Sequence, residues 1–325
     1  MRGRARFLIS MLLTPGWRAQ PRLDFKCNPS PHLAFFPMAD PVPNLPSVLT
    51  FAASDPTSGA GLQADILALA SMGCYPLSVV TALTVQDTAG VESFLAIDPD
   101  WVADQARCIL EDMPVAAFKM GMLGSTEIVT VVAEVVSDYP DVPLVLDPVF
   151  ASGRGDELAG DDMISAIREL LVPQSTVVTP NIHELRRLAD EDDDDANLAE
   201  CAQRLLDTGC EYVLVTGTHD STPDVVNTLY HRGGVLRADT WQRLPGSYHG
   251  SGCTLASAIA AMLANGLEIP EAVREAQDYT WHTLKKAYRP GMGQLLPDRL
   301  FWAREETEPP SDDNATQAPY VRGSH

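Results

Sequence analysis

Apolar residues recur along this chain in two alternating rhythms. Apolar runs at Val48–Ala52, Leu77–Val85, Ala116–Met120, Leu144–Leu146, Thr176–Val178 and Tyr212–Val215 read as buried strands. Between and after them lie segments of helical spacing. In Leu62–Met72, the residues Leu62, Ile66 and Leu69 share a face and Gly73 supplies a stop. Trp101–Glu111, Ile128–Val136, Met163–Leu171, Glu184–Ala189 and Leu198–Asp207 follow the same rule. Val225–Tyr230 and Val235–Thr240, joined at Gly233-Gly234, predict a late β-hairpin. Cys253–Asn265 and Pro270–Tyr288 predict two closing helices. Strand and helix alternating in this way predict a mostly parallel sheet with helices on both faces.

The pattern fills residues 47–303 as one domain. Residues 1–46 look foreign to it. Arg2, Arg4 and Arg6 precede a short apolar run, Phe7–Leu13, but no small-residue cleavage site follows, and Met38 is the expected true start. Residues 304–325 form an acidic, proline-containing tail expected to be disordered, and Glu191–Asp195 reads as a solvated acidic loop. The net charge of −21 argues against nucleic acid or an anionic membrane as partner. Basic residues comprise only four lysines, at 26, 119, 285 and 286, against nineteen arginines. Six scattered cysteines form no C-x-x-C motif, which fits reduced thiols and a cytoplasmic location.

Polar residues that could do chemistry gather where the strands end. Gly250-Ser251-Gly252-Cys253-Thr254 opens an apolar helix. A glycine turn there offers unpaired N–H groups and the positive end of the helix dipole to an anion. The same dipole would draw the Cys253 thiol toward thiolate, while the plainer alternative is a packed turn with a small core residue. Ser54 to Gly61 is a second glycine-rich turn, without the lysine of a P-loop. Asp65 lies one helical turn beyond it. Gln86 can offer an acceptor and donors to an aminopyrimidine edge. Asp147 could hold hydrated magnesium. Asn181 and Glu184, three apart at a helix start, either order magnesium and phosphate or cap the helix. His183, His219 and His249 match no zinc spacing and read as polar loop residues. In an open parallel sheet these strand ends form the ligand crevice.

Six stretches taken in order are specific: Ala53–Asp65, Thr81–Gln86, Lys119–Leu123, Leu146–Val149, Thr179–Glu184 and His249–Thr254. Together they resemble the bacterial hydroxymethylpyrimidine/phosphomethylpyrimidine kinases of thiamine biosynthesis, over roughly residues 46–300. The resemblance implies a ribokinase-like three-layer α/β sandwich that uses ATP and Mg2+ to phosphorylate an aminopyrimidine alcohol and then its monophosphate. It implies that Gly250, Ser251, Gly252 and Cys253 form the anion hole. Ala53, Asp65, Gln86, Met122 and Val149 would contact the pyrimidine. Asn181, Glu184, Thr216 and Gly217 would serve the nucleotide, with Asp147 and Glu184 toward the metal, and the expected assembly is a homodimer. Val215-Thr-Gly-Thr-His219 and Phe150–Gly155 lack lysines that the family often carries, and Arg154 is a candidate replacement for one of them. A pyridoxal kinase of the same fold and a non-catalytic pyrimidine-binding regulator are the alternatives.

Overall fold

The computed structural model describes residues 45–304, except 192, 194, 195 and 218–221. The expectations for the N-terminal extension, the Met38 start, the acidic tail, His219 and most of the 191–195 acidic run lie outside the described residues.

Nine strands form one sheet in the order β3-β2-β1-β4-β5-β6-β7-β8-β9. They are β1 (Ser47–Ser54), β2 (Tyr75–Gln86), β3 (Val91–Ala96), β4 (Ala117–Met120), β5 (Leu144–Leu146), β6 (Val177–Val178), β7 (Tyr212–Val215), β8 (Asp224–His231) and β9 (Gly234–Gln242). The central pairings from β2 through β7 are parallel, and β3, β8 and β9 pair antiparallel at the two edges. Among the described residues eight α-helices accompany them: α1 (Gly61–Ser71), α2 (Pro99–Asp112), α3 (Thr126–Ser137), α4 (Asp161–Ala166), α5 (Ile182–Leu188), α6 (Leu198–Thr208), α7 (Ser251–Ala264) and α8 (Ile269–Lys285).

Alternation along the central strands divides the core in two. Leu49, Phe51, Phe118, Met120, Leu144, Leu146 and Val213 point to one face and pack under α2 to α6. Val48, Ala117, Val145, Val177 and Leu214 point to the other, under α1, α7 and α8. The expected three-layer sandwich is therefore present. Thr50 and Lys119 fall on the positions of the second face, and both are fully buried there. A buried lysine needs a paired charge. Asp65 of α1 supplies it at 2.9 Å, and the same carboxylate accepts from Thr50 and from Ser257 of α7. One buried polar cluster thus ties β1, β4, α1 and α7 together directly behind the strand ends.

Strand β3 is absent from the sequence reading. Four of its six side chains are exposed, so burial leaves no apolar run to read, and hydrogen bonding to β2 holds it.

Candidate active site

Loops after β1, β2, β4, β5, β6 and β7 converge with the start of α7 on one cleft of about 880 Å³. Ala53, Val91, Met122, Val149 and Leu158 form an apolar pocket within it. Gln86 closes one side of that pocket. Its amide nitrogen donates to Thr84 Oγ1 at 2.8 Å, and Thr84 in turn donates its hydroxyl proton to the Ser54 carbonyl at 2.9 Å. Because the Thr84 proton is committed, its oxygen can only accept, which fixes the Gln86 amide with nitrogen toward Thr84.

The two glycine turns meet back to back. Gly250 caps α7 with a left-handed φ of 80°, and a Cβ there would collide with the Gly59 carbonyl. Only glycine fits. Helix geometry leaves the N–H groups of Ser251, Gly252 and Cys253 without intrahelical acceptors, and all three residues line the cleft. Asp55 braces the other turn by accepting from the Thr57 and Ala60 amides, each at 2.8 Å, and it meets His249 Nε2 at 2.9 Å. Burial opposes its charge, but these bonds together hold the Asp55 pKa below the ordinary carboxylate value.

Three titratable groups sit side by side at the start of α7. Burial pushes Asp147 up to about 6, with Lys119 opposing and Asp65 reinforcing. Glu184 rises to about 8 through burial and the nearby Asp147 charge. Burial likewise pushes the Cys253 thiol up to about 12, against the pull of Lys119. This corrects the expectation of a thiolate: desolvation and two carboxylates outweigh the helix dipole. Cys253 is a thiol that hydrogen-bonds Asp147.

Magnesium fits this donor set in a hydrated form. Asp147 Oδ2 is buried with no hydrogen-bond partner, and two adjacent carboxylates are held above their ordinary pKa, as a site awaiting positive charge would be. No cluster of three or more ligating side chains occurs among the described residues, so the protein provides no full cage. Magnesium commonly keeps waters and substrate oxygens instead. The capping alternative for Asn181 and Glu184 also holds: each side chain accepts from the other's backbone N–H at 2.9 Å. Capping consumes one Glu184 oxygen and orients the residue in the cleft.

Ala53, Gln86, Met122, Asp147, Val149, Asn181, Glu184, Thr216 and Gly250 through Cys253 all line the cleft. Two expected residues do not. Asp65 is fully buried behind the wall, bonded to Thr50, Lys119 and Ser257, because its position in α1 faces the sheet. Gly217 gives its N–H to Asn227, and a Cβ there would strike the Val226 carbonyl, so it serves strand packing. Thr84, Lys119 and Arg299 carry structural roles that the sequence reading did not assign. For Lys119 a signal existed, a charge inside the apolar run 116–120 of a lysine-poor chain. Arg299 lies in irregular chain after α8 and has no periodicity to reveal it.

An open, mostly parallel sheet with a glycine-turn helix start and a small apolar pocket at its strand ends is an architecture suited to a small-molecule phosphotransferase. Residues 55–298 match the family model described as phosphomethylpyrimidine kinase. A hydroxymethylpyrimidine/phosphomethylpyrimidine kinase of Mycobacterium tuberculosis is 40% identical over 270 residues, 82% of this chain and 98% of the relative. The Escherichia coli protein of the same name is 35% identical, covering 74% and 91%. Among solved structures, Staphylococcus aureus pyridoxal kinase in complex with pyridoxal aligns with a TM-score of 0.72 at 28% identity, covering 80% of this chain and 95% of that one. Phosphomethylpyrimidine kinase from Clostridium difficile aligns at 0.62 and 32% identity, covering 72% and 97%. The chain belongs to the phosphomethylpyrimidine kinase family and is a kinase with the ribokinase-like fold.

Proposed function

We propose that the chain transfers the γ-phosphoryl group of ATP to the hydroxyl of 4-amino-5-hydroxymethyl-2-methylpyrimidine, and then phosphorylates the monophosphate to the diphosphate, in thiamine biosynthesis. The observation that carries this is the apolar pocket of Ala53, Met122 and Val149, with the orientation-locked Gln86 on its polar side. Gln86 presents one remaining N–H and its carbonyl oxygen, the complement of a ring nitrogen beside an amine. The ring lies in the pocket with its hydroxymethyl group toward the Gly250–Cys253 amides, which receive the transferring phosphoryl group. Phosphoryl transfer needs positioning and charge neutralisation more than covalent help. The amides and the positive end of the α7 dipole provide both.

Asp147 and Glu184 are the residues that would hold magnesium, which when bound neutralises phosphate oxygens. The nucleotide lies toward Thr216. The structural neighbours include pyridoxal kinases complexed with ADP and with AMP-PCP, which supports an adenine nucleotide as donor. In place of family lysines, Arg154, Arg187 and Arg243 bring guanidinium charge to the cleft. We expect a homodimer in the cytoplasm. No described helix is long and apolar enough to cross a membrane, and light scattering tests the assembly.

A pyridoxal kinase is the second reading, favoured by the higher TM-score of 0.72. Overall backbone similarity does not report on the ring pocket, whereas the family match and the 40% identity point to the pyrimidine. Steady-state kinetics with the free pyrimidine, its monophosphate and pyridoxal, side by side, decide it. Both pyrimidines should turn over. Robust pyridoxal phosphorylation with neither pyrimidine accepted would replace the first reading with the second.

A further inference from the structure

Arg299 is 3% exposed and reaches both glycine turns from behind. Its Nε donates to Thr254 Oγ1 at 3.0 Å and Nη1 to the Ser58 carbonyl at 3.1 Å. Its Nη2 donates to the Gly59 carbonyl at 2.5 Å and, more weakly, to the Gly250 carbonyl at 3.5 Å. These partners are all uncharged oxygens. The neighbouring carboxylate, Asp298, is engaged by Arg304.

A guanidinium cannot shed its proton, and a buried charge without a countercharge is costly. Such a cost persists where a function needs the charge. In a trans peptide the C=O and the N–H point opposite ways. The Gly250 carbonyl accepts from the Thr254 N–H at 3.0 Å and from the Thr254 hydroxyl at 2.8 Å, and Arg299 donates to that same Thr254 Oγ1, so it backs the arrangement that aims the Ser251 N–H the opposite way, into the cleft. Clamping Ser58 and Gly59 fixes the surface on which Gly250 rests, since the two backbones are in contact. The Asp65 carboxylate that faces Arg299 electrostatically is already paired with Lys119, and an anion received on the other side of the turn would complete the compensation.

We propose that Arg299 is a positioning residue for phosphoryl transfer. It locks the two glycine turns together and places a buried guanidinium behind the Gly250–Cys253 amides. This rests on the kinase reading above.

The test compares Arg299→Gln and Arg299→Lys with the parent enzyme. The readouts are kcat and KM, calorimetric affinity for the uncharged hydroxymethylpyrimidine, and calorimetric affinity for tripolyphosphate as an anion probe. Arg299→Gln should lower kcat by roughly 10²-fold, the scale of one lost anion-hole element. Its tripolyphosphate affinity should fall about tenfold or more while its pyrimidine affinity stays within about twofold. Arg299→Lys keeps the charge and loses the fork, so it should recover part of the lost kcat. If the glutamine variant fails to fold, the lysine variant carries the test, with tripolyphosphate affinity and kcat reduced and pyrimidine affinity unchanged. Parallel loss of both affinities, unchanged kcat in the variants, or no tripolyphosphate binding by the parent enzyme overturns the inference. If the parent binds tripolyphosphate through Arg299 yet phosphorylates no pyrimidine, the pyrimidine assignment fails while the role of Arg299 in holding the anion stands.

Discussion

At Cys253 two electrostatic tendencies oppose each other. The start of α7 favours an anion, while burial beside Asp147 and Asp65 disfavours one, and the thiol stays protonated with its pKa near 12. It contributes by size and by its hydrogen bond to Asp147. Cys253→Ala should lower kcat by roughly 10²-fold, and Cys253→Ser, whose hydroxyl can make the same bond, should lose much less. Equal loss in both, measured by steady-state turnover, would return the role to a reactive sulfur. Glu184→Gln should raise the magnesium requirement and lower kcat with pyrimidine binding nearly intact. Magnesium titrations of both proteins check this, and superimposable curves at full activity would leave only the helix cap. Gln86→Leu places an apolar side chain against the substrate's polar edge. Unpartnered burial costs roughly 1–3 kcal/mol, so kcat/KM for the pyrimidine should fall about 10- to 100-fold, and that for pyridoxal much less. Equal effects on the two substrates would remove Gln86 from ring recognition. Asp147 could be picked from the sequence because it ends an apolar run, Cys253 because it closes a glycine turn that opens a helix, and Glu184 because it lies three residues after Asn181 at a helix start. Their protonation could not be read, since it depends on Lys119 and on burial.

Elements were legible where periodicity reflects burial. The central strands bury both faces and read as short apolar runs, while the helices bury a face against the sheet and show it in their spacing. Strand β3 buries almost nothing and so leaves no trace in the sequence. The Asp65 misplacement has a similar origin. The sequence places it one turn into α1 but does not say which face meets the sheet, and the partner that fixes this, Lys119, lies 54 residues away. At the start of α7, Gly250→Ala adds a Cβ at a left-handed φ and against the Gly59 carbonyl. The turn must open to accept it. Turnover should fall at least about 10²-fold, with a lower melting temperature by calorimetry. Near-wild-type kinetics would mean that the two turns need not touch.

For the molecule as a whole, Asp147 and Glu184 work against folding. Each has a folded pKa above its ordinary value, so its contribution to stability is complete near pH 4 and is lost as pH rises through about 6 for Asp147 and about 8 for Glu184. Without ligands, Asp147→Asn should therefore raise the melting temperature at pH 8 by several degrees while activity collapses. The gain should shrink toward pH 5. A variant that melts lower than the parent at both pH values would show that the carboxylate is already compensated. The strained pair also bears on the protein's lifetime. An empty site carries this cost increasingly as pH rises from about 6 to 8, and a bound cation would relieve it. Any protease that samples the open form would then remove empty molecules first, and whatever ligand fills the site would slow that loss. Abundance in a cell would rise and fall with supply of the reactants, through turnover alone and without a dedicated sensor.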